Sequence, residues 1–206
     1  MKPFTKSELK FVIFSLLFIF IITGYNLRIA LRKSRDSQRM SDLGSISDAL
    51  NQYQKDYGFF PPSENGMIKA CKADNFDEIL KDLSKDAIFD RNKLFTGLKV
   101  CNWGQDQLRD LTDDSYKPYL DRIPSDPKQS KGISYFYISD TNFYQIYAYL
   151  EGEVKESAYN IDIVKRNLKC GNEICNFGKS YSDIPLGLSI EEYERMLLEM
   201  QKSTGK

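Results

Sequence analysis

Four cysteines are the residues of this 206-residue chain best suited to chemistry: Cys71, Cys101, Cys170 and Cys175. An even number of cysteines favours two disulfides in an oxidising compartment, and the most local of the three possible pairings joins Cys71 to Cys101 and Cys170 to Cys175. A four-cysteine zinc site usually has two closely spaced pairs, and only the second pair here approaches that spacing. Free thiols are the remaining alternative.

Acidic residues offer two further kinds of site. Glu8 stands just before a long apolar run, where its carboxylate either pairs with a cation of a neighbouring chain or stays solvated among lipid headgroups. Asp121, Asp126 and Asp140 lie in predicted loops and are candidate calcium ligands, because calcium binds carboxylate oxygens. We expect no other metal and no cofactor.

Catalysis is not expected from this composition. The sequence contains no histidine, which removes the commonest general base and the Ser-His and Cys-His nucleophile pairs. It also contains neither a glycine-rich phosphate loop nor a nucleophile elbow. The formal net charge is zero, so no nucleic-acid partner is predicted.

One long predicted helix positions the N-terminal residues, and its first half is apolar. Residues 11–27 carry no charge and fall slightly short of the ~20 residues that span a bilayer. Lys10 and Arg28 can extend the span by raising their charges to the headgroups. A cleaved signal peptide would have a shorter apolar region and a small-residue cleavage site. We therefore predict one transmembrane segment at 11–27.

The second half of this helix, residues 28–58, is predicted to be amphipathic. Apolar side chains recur every three or four residues and so share one face: Met40, Leu43, Ile46, Leu50, Tyr53 and Tyr57. Gly58 and Pro61 end the helix, because glycine relieves the C-terminus and proline cannot continue it. We expect this face to lie on the domain's own sheet.

Two signals disagree about the side of the membrane on which the domain lies. Basic residues flank the apolar run on both sides: Lys2, Lys6 and Lys10 before it, and Arg28, Arg32, Lys33, Arg35 and Arg39 after it. The positive-inside rule favours a cytoplasmic domain, whereas paired cysteines favour an oxidising compartment. We follow the cysteines and predict a single-pass protein of the cell membrane with an extracytoplasmic domain.

Residues 59–165 are predicted to form a small α+β domain. Segment 61–74 is expected to be a loop, and Asn75 with Glu78 forms a capping-box pattern for a helix whose apolar face ends at Ala87. Short helical turns are expected at 105–111 and 115–120. Three segments rich in strand-forming residues predict an antiparallel meander under the long helix: 133–139, 143–150 and 159–165.

Residues 166–206 are predicted to be an extension that carries one cysteine pair and ends in a helix. Ser189 and Glu192 form a second capping-box pattern, which predicts a helix over 190–202. The expected fold class is therefore α+β, with a long N-terminal helix packed on a small antiparallel sheet and a C-terminal helical extension.

The N-terminal sequence resembles type IV pilins and the major pseudopilins (G-type) of type II secretion. In that family a peptidase cuts between a glycine and a phenylalanine, and a glutamate is the fifth residue of the mature chain; Phe4 and Glu8 match this spacing. Further similar segments follow along the chain: 32–39, 42–43, 49–50, 57–61, 119–127 and 147–151. The resemblance implies a pilin-like fold with a leader and helix start at 1–10, processing and N-methylation at Phe4, and an assembly role for Glu8.

The resemblance also implies a function and partners. It implies a structural subunit of a type IV pilus or secretion pseudopilus that binds copies of itself, other pilin-like subunits, the membrane, the prepilin peptidase and the assembly platform. Pro3 departs from the family, since it replaces the glycine and restricts the backbone at the cleavage position. An uncut leader favours the alternative function, a monomeric membrane-tethered binding or adhesion domain.

Overall fold

The computed structural model describes residues 5–85, 89–152 and 158–204. Its helices are α1 (Lys6–Tyr57), α2 (Phe76–Leu83), α3 (Arg91–Thr96), α4 (Ile161–Lys165) and α5 (Ile190–Thr204). Its strands are β1 (Ser63–Glu64), β2 (Met67–Ile68), β3 (Cys71–Lys72), β4 (Leu98–Lys99), β5 (Phe136–Ser139), β6 (Tyr144–Ala148), β7 (Lys169–Cys170), β8 (Glu173–Ile174) and β9 (Phe177–Ser180). Short 3₁₀ turns occur at Gln129–Lys131 and Tyr181–Asp183.

Helix α1 runs without a break through the apolar and amphipathic halves, as predicted. Its 52 residues give a rod about 78 Å long. Gly58 ends the helix in the left-handed conformation, with φ of 75°, and its N–H donates to the carbonyl of Gln54. Glycine adopts this conformation without the steric cost that a side chain would add, which explains the abrupt end.

The core lies between the second half of α1 and the sheet. Leu43, Ile46, Leu50 and Tyr53 of the predicted stripe are completely buried. Met40 and Tyr57, at the ends of the stripe, are half-buried. The opposite side of the core is formed by Tyr137, Tyr144 and Ile146 of the sheet and by Tyr135, which directly precedes β5. The predicted placement of the helix on the domain's own sheet is therefore confirmed.

The third strand of the main sheet was predicted in the wrong place. The sheet has the antiparallel order β5-β6-β9, and residues 161–165 form α4 instead of a strand. Asn160 starts this helix, because its side-chain oxygen accepts hydrogen bonds from the N–H groups of Asp162 and Ile163. The alternation of Ile161 and Ile163 was too short to distinguish a strand from one helical turn.

The C-terminal segment is therefore an integral part of the fold. Strand β9 pairs with β6 in the register Gln145↔Ser180 to Ala148↔Phe177. Helix α5 begins with the predicted capping box: Glu192 N–H donates to Ser189 Oγ at 3.1 Å, and Ser189 N–H donates to Glu192 Oε2 at 2.7 Å. The predicted C-terminal helix is thus confirmed, but the segment that precedes it completes the sheet.

The segment 61–74 contains a hairpin that we predicted as a loop. Strands β1 and β2 pair across Asn65 and Gly66, which have positive φ values of 53° and 76°. An Asn-Gly pair is the preferred sequence for a two-residue hairpin turn, because both positions require left-handed backbone. This signal was present in the sequence, and the prediction missed it.

Two further local predictions were wrong and one lies partly outside the described residues. The segments 105–111 and 115–120 contain no helix; Leu108 and Leu120 instead pair with each other in an antiparallel bridge. The N-cap of α2, Asn75, makes no side-chain hydrogen bond to the helix, so the predicted capping box does not form there. Ala87 lies outside the described residues.

Both disulfides have the local pairing. Cys71 in β3 is bonded to Cys101, two residues after β4, with an S–S distance of 2.03 Å. Cys170 and Cys175 close the hairpin of β7 and β8. Disulfides form and persist in oxidising compartments, so the bonds fit an extracytoplasmic domain.

Candidate functional site

The projecting half of α1 is the most unusual surface of the molecule. From residue 7 to residue 28, nearly every described side chain is exposed, including Phe11, Phe14, Phe20 and Ile21 at 70% or more. The apolar window has a mean hydropathy of 2.0, and none of it is buried. Among the described residues, α1 alone is long and apolar enough to cross a membrane by length and composition. Soluble monomers rarely expose an apolar surface of this extent.

The start of α1 is organised by Thr5 and Glu8. Thr5 is the N-cap; its N–H donates to Glu8 Oε2 at 2.7 Å, and Glu8 N–H donates to Thr5 Oγ1 at 3.4 Å. This reciprocal pair satisfies two of the N–H groups that a helix start leaves unpaired. The predicted assembly residue Glu8 therefore has a partner within its own chain. The predicted processing residues Pro3 and Phe4 lie outside the described residues.

A charged cluster fixes α1 at the point where it enters the domain. We call it the helix-exit cluster and define it as Arg35, Asp36, Arg39, Asp126, Lys128 and Glu151. Arg39 is fully buried and donates through Nε and Nη2 to the two oxygens of Asp126, at 2.7 and 3.0 Å. Its Nη1 donates to Asp36 Oδ1 at 2.8 Å and to Glu151 Oε1 at 2.9 Å.

Glu151 joins the end of the sheet to the same cluster. Its two carboxylate oxygens accept from Nε and Nη2 of Arg35, each at 2.7 Å, and one of them also accepts from the Lys128 ammonium. The backbone N–H of Glu151 donates to Asp36 Oδ1 at 2.9 Å. Each of the two guanidinium groups makes two parallel hydrogen bonds to a carboxylate. Such pairs fix the relative orientation of the two side chains as well as the distance between them. The cluster therefore sets the angle at which the rod leaves the domain.

The electrostatics of the cluster follow from these contacts. Burial by itself lowers the pKa of Arg39, but hydrogen bonds to Asp126 and Glu151 outweigh it, and the pKa is raised. The hydrogen bond from Arg35 is the main reason that the pKa of Glu151 lies far below its usual range; those from Lys128 and Arg39 add to it, and burial opposes it. Both groups are therefore held in their charged forms.

This depressed pKa makes stability depend on pH. Unfolded chains bind a proton at Glu151 near pH ~4.3, whereas the folded chain resists protonation, so the contribution is complete above that pH and is lost as the pH falls. We expect Glu151→Gln to cost about 1.5–3 kcal/mol at pH 7, because charged hydrogen bonds are lost. Thermal melts should show the difference between the two proteins shrinking from pH 6 to pH 3. A difference that is constant over this range would contradict the assignment.

The three calcium candidates are not brought together. The Asp126 carboxylate is paired with the Arg39 guanidinium. Asp140 accepts hydrogen bonds from the N–H groups of Asn142 and Phe143 in the β5–β6 turn. Asp121 is exposed. Within the described ranges, no three Asp, Glu, Cys or His residues are grouped as metal ligands.

The helix-exit cluster itself was missed by sequence reasoning. The sequence predicts Asp126 as a calcium candidate in a loop and Arg39 as a basic residue that follows the apolar run, and it does not predict that the two pair. Residues 39, 126 and 151 are far apart in the chain, so nothing local signals that they pair. The one available signal was that Arg39 and Asp36 fall on the same side of α1 as the apolar stripe.

Comparison with known proteins adds no relative. The chain matches no protein-family model, no curated protein and no solved structure.

Proposed function

We propose that the chain is a structural subunit of a type IV pilus or a type II secretion-like pseudopilus, and that it assembles through α1. The observation that carries this proposal is that one unbroken helix has an exposed, apolar first half and contributes its second half to the core of the domain. Such a rod can lie in a bilayer as an anchor, or pack against the rods of other subunits in a filament.

The small difference in free energy between lipid contact and helix contact allows the apolar half of α1 to exchange between a bilayer and a filament. Lipid tails are as apolar as leucine, so association of helices within a membrane gains little from the hydrophobic effect. The apolar half of α1 therefore remains in the bilayer at a low cost in free energy until subunits assemble. Gly24 has no atom within 4 Å of the position of a Cβ, so the backbone is open to a neighbouring helix at that point.

The rigid junction supports a structural role. The helix-exit cluster holds the rod to the sheet by hydrogen bonds between buried or half-buried groups. A fixed angle between rod and domain gives every subunit the same orientation in an assembly, as a repeating filament requires. We place the domain outside the cytoplasm because it contains two disulfides.

A monomeric, membrane-tethered binding domain is the second candidate. One observation favours it: Glu8 is already paired with Thr5 of its own chain, so it does not need a cation from a neighbour. In the filament proposal, cleavage before Phe4 creates an amine that competes for Glu8. Pro3 at the cleavage position also favours the tether.

Shearing of surface filaments from cells that express the chain distinguishes the two candidates. The filament proposal predicts the chain in the sheared fraction, and intact-mass measurement should show a mature N-terminus at Phe4. An intact Met1 in filaments would refute the peptidase step but keep assembly. A chain that remains monomeric in the membrane fraction, with no filaments, would refute assembly and support the tether.

A further inference from the structure

A surface cavity of about 290 Å³ opens between α1 and the segment that leads to the Leu108–Leu120 bridge. We call it the Tyr116 cavity and define it by the wall residues that carry a ring or a polar group: Gln52, Tyr116, Lys117, Pro118, Tyr119 and Asp121. From Arg28, at the end of the apolar run, to Gln52, α1 rises about 36 Å. In the anchored chain the cavity therefore lies well outside the bilayer.

One wall of the Tyr116 cavity is an exposed aromatic ring. Tyr116 is 51% exposed, and the centroid of its ring lies 6.1 Å from that of Tyr119. Tyr119 is in turn fixed to α1, because its hydroxyl donates to Asp56 Oδ2 at 2.6 Å. The Tyr116 ring therefore lies next to a side chain that is held in place, and much of its own surface is left uncovered.

Three polar side chains at the cavity have unused hydrogen-bonding capacity. Gln52, Lys117 and Asp121 are exposed, and within the described ranges none of the three makes a side-chain hydrogen bond or an ion pair. Together they offer an amide that donates and accepts, an ammonium that donates and a carboxylate that accepts. The charges of Lys117 and Asp121 cancel, so the cavity favours a neutral polar ligand over an ion.

A larger cavity beside the Cys71–Cys101 disulfide differs in this respect. Its volume is about 430 Å³, and the charged groups that line it already have partners. The Lys72 ammonium contacts Asp114 Oδ1 at 2.8 Å, and Asp106 accepts from the backbone and side-chain N–H groups of Asn102. A polar ligand would have to replace these bonds, whereas the polar side chains of the Tyr116 cavity are available without such an exchange.

We propose that the Tyr116 cavity binds a neutral sugar in its pyranose form. One face of a pyranose carries C–H groups, which lie against the Tyr116 ring and Pro118. Its hydroxyls both donate and accept, so the Asp121 carboxylate accepts from them while Gln52 and Lys117 donate to their oxygens. The volume of the cavity lies at the small end of the range of ~300–1,000 Å³ for ligand sites, which suits a small sugar. The inference goes beyond the proposed function, because a single chain binds the sugar whether or not it assembles.

Saturation-transfer NMR on the full-length chain tests the proposal. The chain is held in a detergent that has no sugar headgroup. The probes are the methyl glycosides of glucose, galactose, mannose and N-acetylglucosamine, with uridine as a nucleoside probe. We expect saturation of at least one pyranoside, strongest at the C–H protons of the face that meets Tyr116. No saturation of any pyranoside, or saturation of uridine alone, would overturn the proposal.

Substitutions at the cavity locate the bound sugar. Asp121→Asn should weaken binding of the responding sugar by about tenfold, because a charged acceptor is lost. Tyr116→Ala should weaken it at least as much, whereas Tyr116→Phe keeps the ring and should retain most of the affinity. Phe89→Ala removes a comparably exposed ring elsewhere and is the control, with an equal melting temperature showing that each variant is folded. Binding that Tyr116→Ala leaves unchanged would place the sugar elsewhere and overturn the proposal.

Discussion

Arg39→Met should lower the free energy of unfolding by about 3–5 kcal/mol, the largest effect that we expect from a single substitution. Removing one partner of a buried ion pair leaves the other charge desolvated and unpaired. Arg39 and Asp126 both have fully inaccessible side chains, and Asp36 and Glu151 also lose a donor. The measurement is chemical denaturation of the detergent-solubilised chain, followed by circular dichroism.

Two further variants separate the buried pair from ordinary surface charge. Lys85→Met removes an exposed ion pair with Asp82 and should cost less than about 1 kcal/mol. The double variant Arg39→Met, Asp126→Leu should be more stable than Arg39→Met alone, because the unpaired carboxylate is gone. A loss below about 1 kcal/mol for Arg39→Met would contradict the role of the helix-exit cluster as the junction between rod and domain.

Replacing Cys71 and Cys101 by alanine should lower stability by about 3.5 kcal/mol. In the chain-entropy model a disulfide restricts the unfolded chain, and this bond closes a loop with a sequence separation of 30. It also holds β3 to the segment after β4, and these two strands pair over only two residues each. Denaturation of the oxidised full-length chain measures the effect.

The second disulfide is the matched comparison. Cys170 and Cys175 are separated by 5 residues, so the same model gives only about 2 kcal/mol for their replacement. These cysteines close a hairpin that is also held by the pairing of β7 with β8. If their replacement were the more damaging of the two, loop closure would not be the main source of stabilisation.

Features set by neighbouring residues in the chain were predictable. The stripe from Leu43 to Tyr53 repeats at helical spacing, Gly58 marks the end of α1, and Ser189 with Glu192 starts α5. Each of these signals acts within one or two helical turns, so it predicts the same local structure regardless of the rest of the fold.

Features that depend on distant partners were not predictable in the same way. Phe177–Ser180 is too short to be recognised as a strand until β6 is placed beside it. Apolar and polar residues alternate over 159–165 as they do in a strand. The Asn160 side chain nevertheless caps the segment, and it forms a helix. Arg39 pairs with Asp126 and Glu151 only because the fold brings three separate segments to one point.

Under the proposed function, the same chain is both an anchor and a building block, and the fold accommodates both roles. The second half of α1 is inseparable from the domain core, so any partner that holds the first half also fixes the position of the domain.

Alkaline carbonate extraction of membranes is the most direct test of the central claim, that the exposed apolar half of α1 anchors the domain in a bilayer. The full chain should remain in the membrane pellet. A chain that begins at residue 29 should move to the supernatant and melt at the same temperature, since the core begins beyond that point. Release of the full chain into the carbonate supernatant would contradict the account.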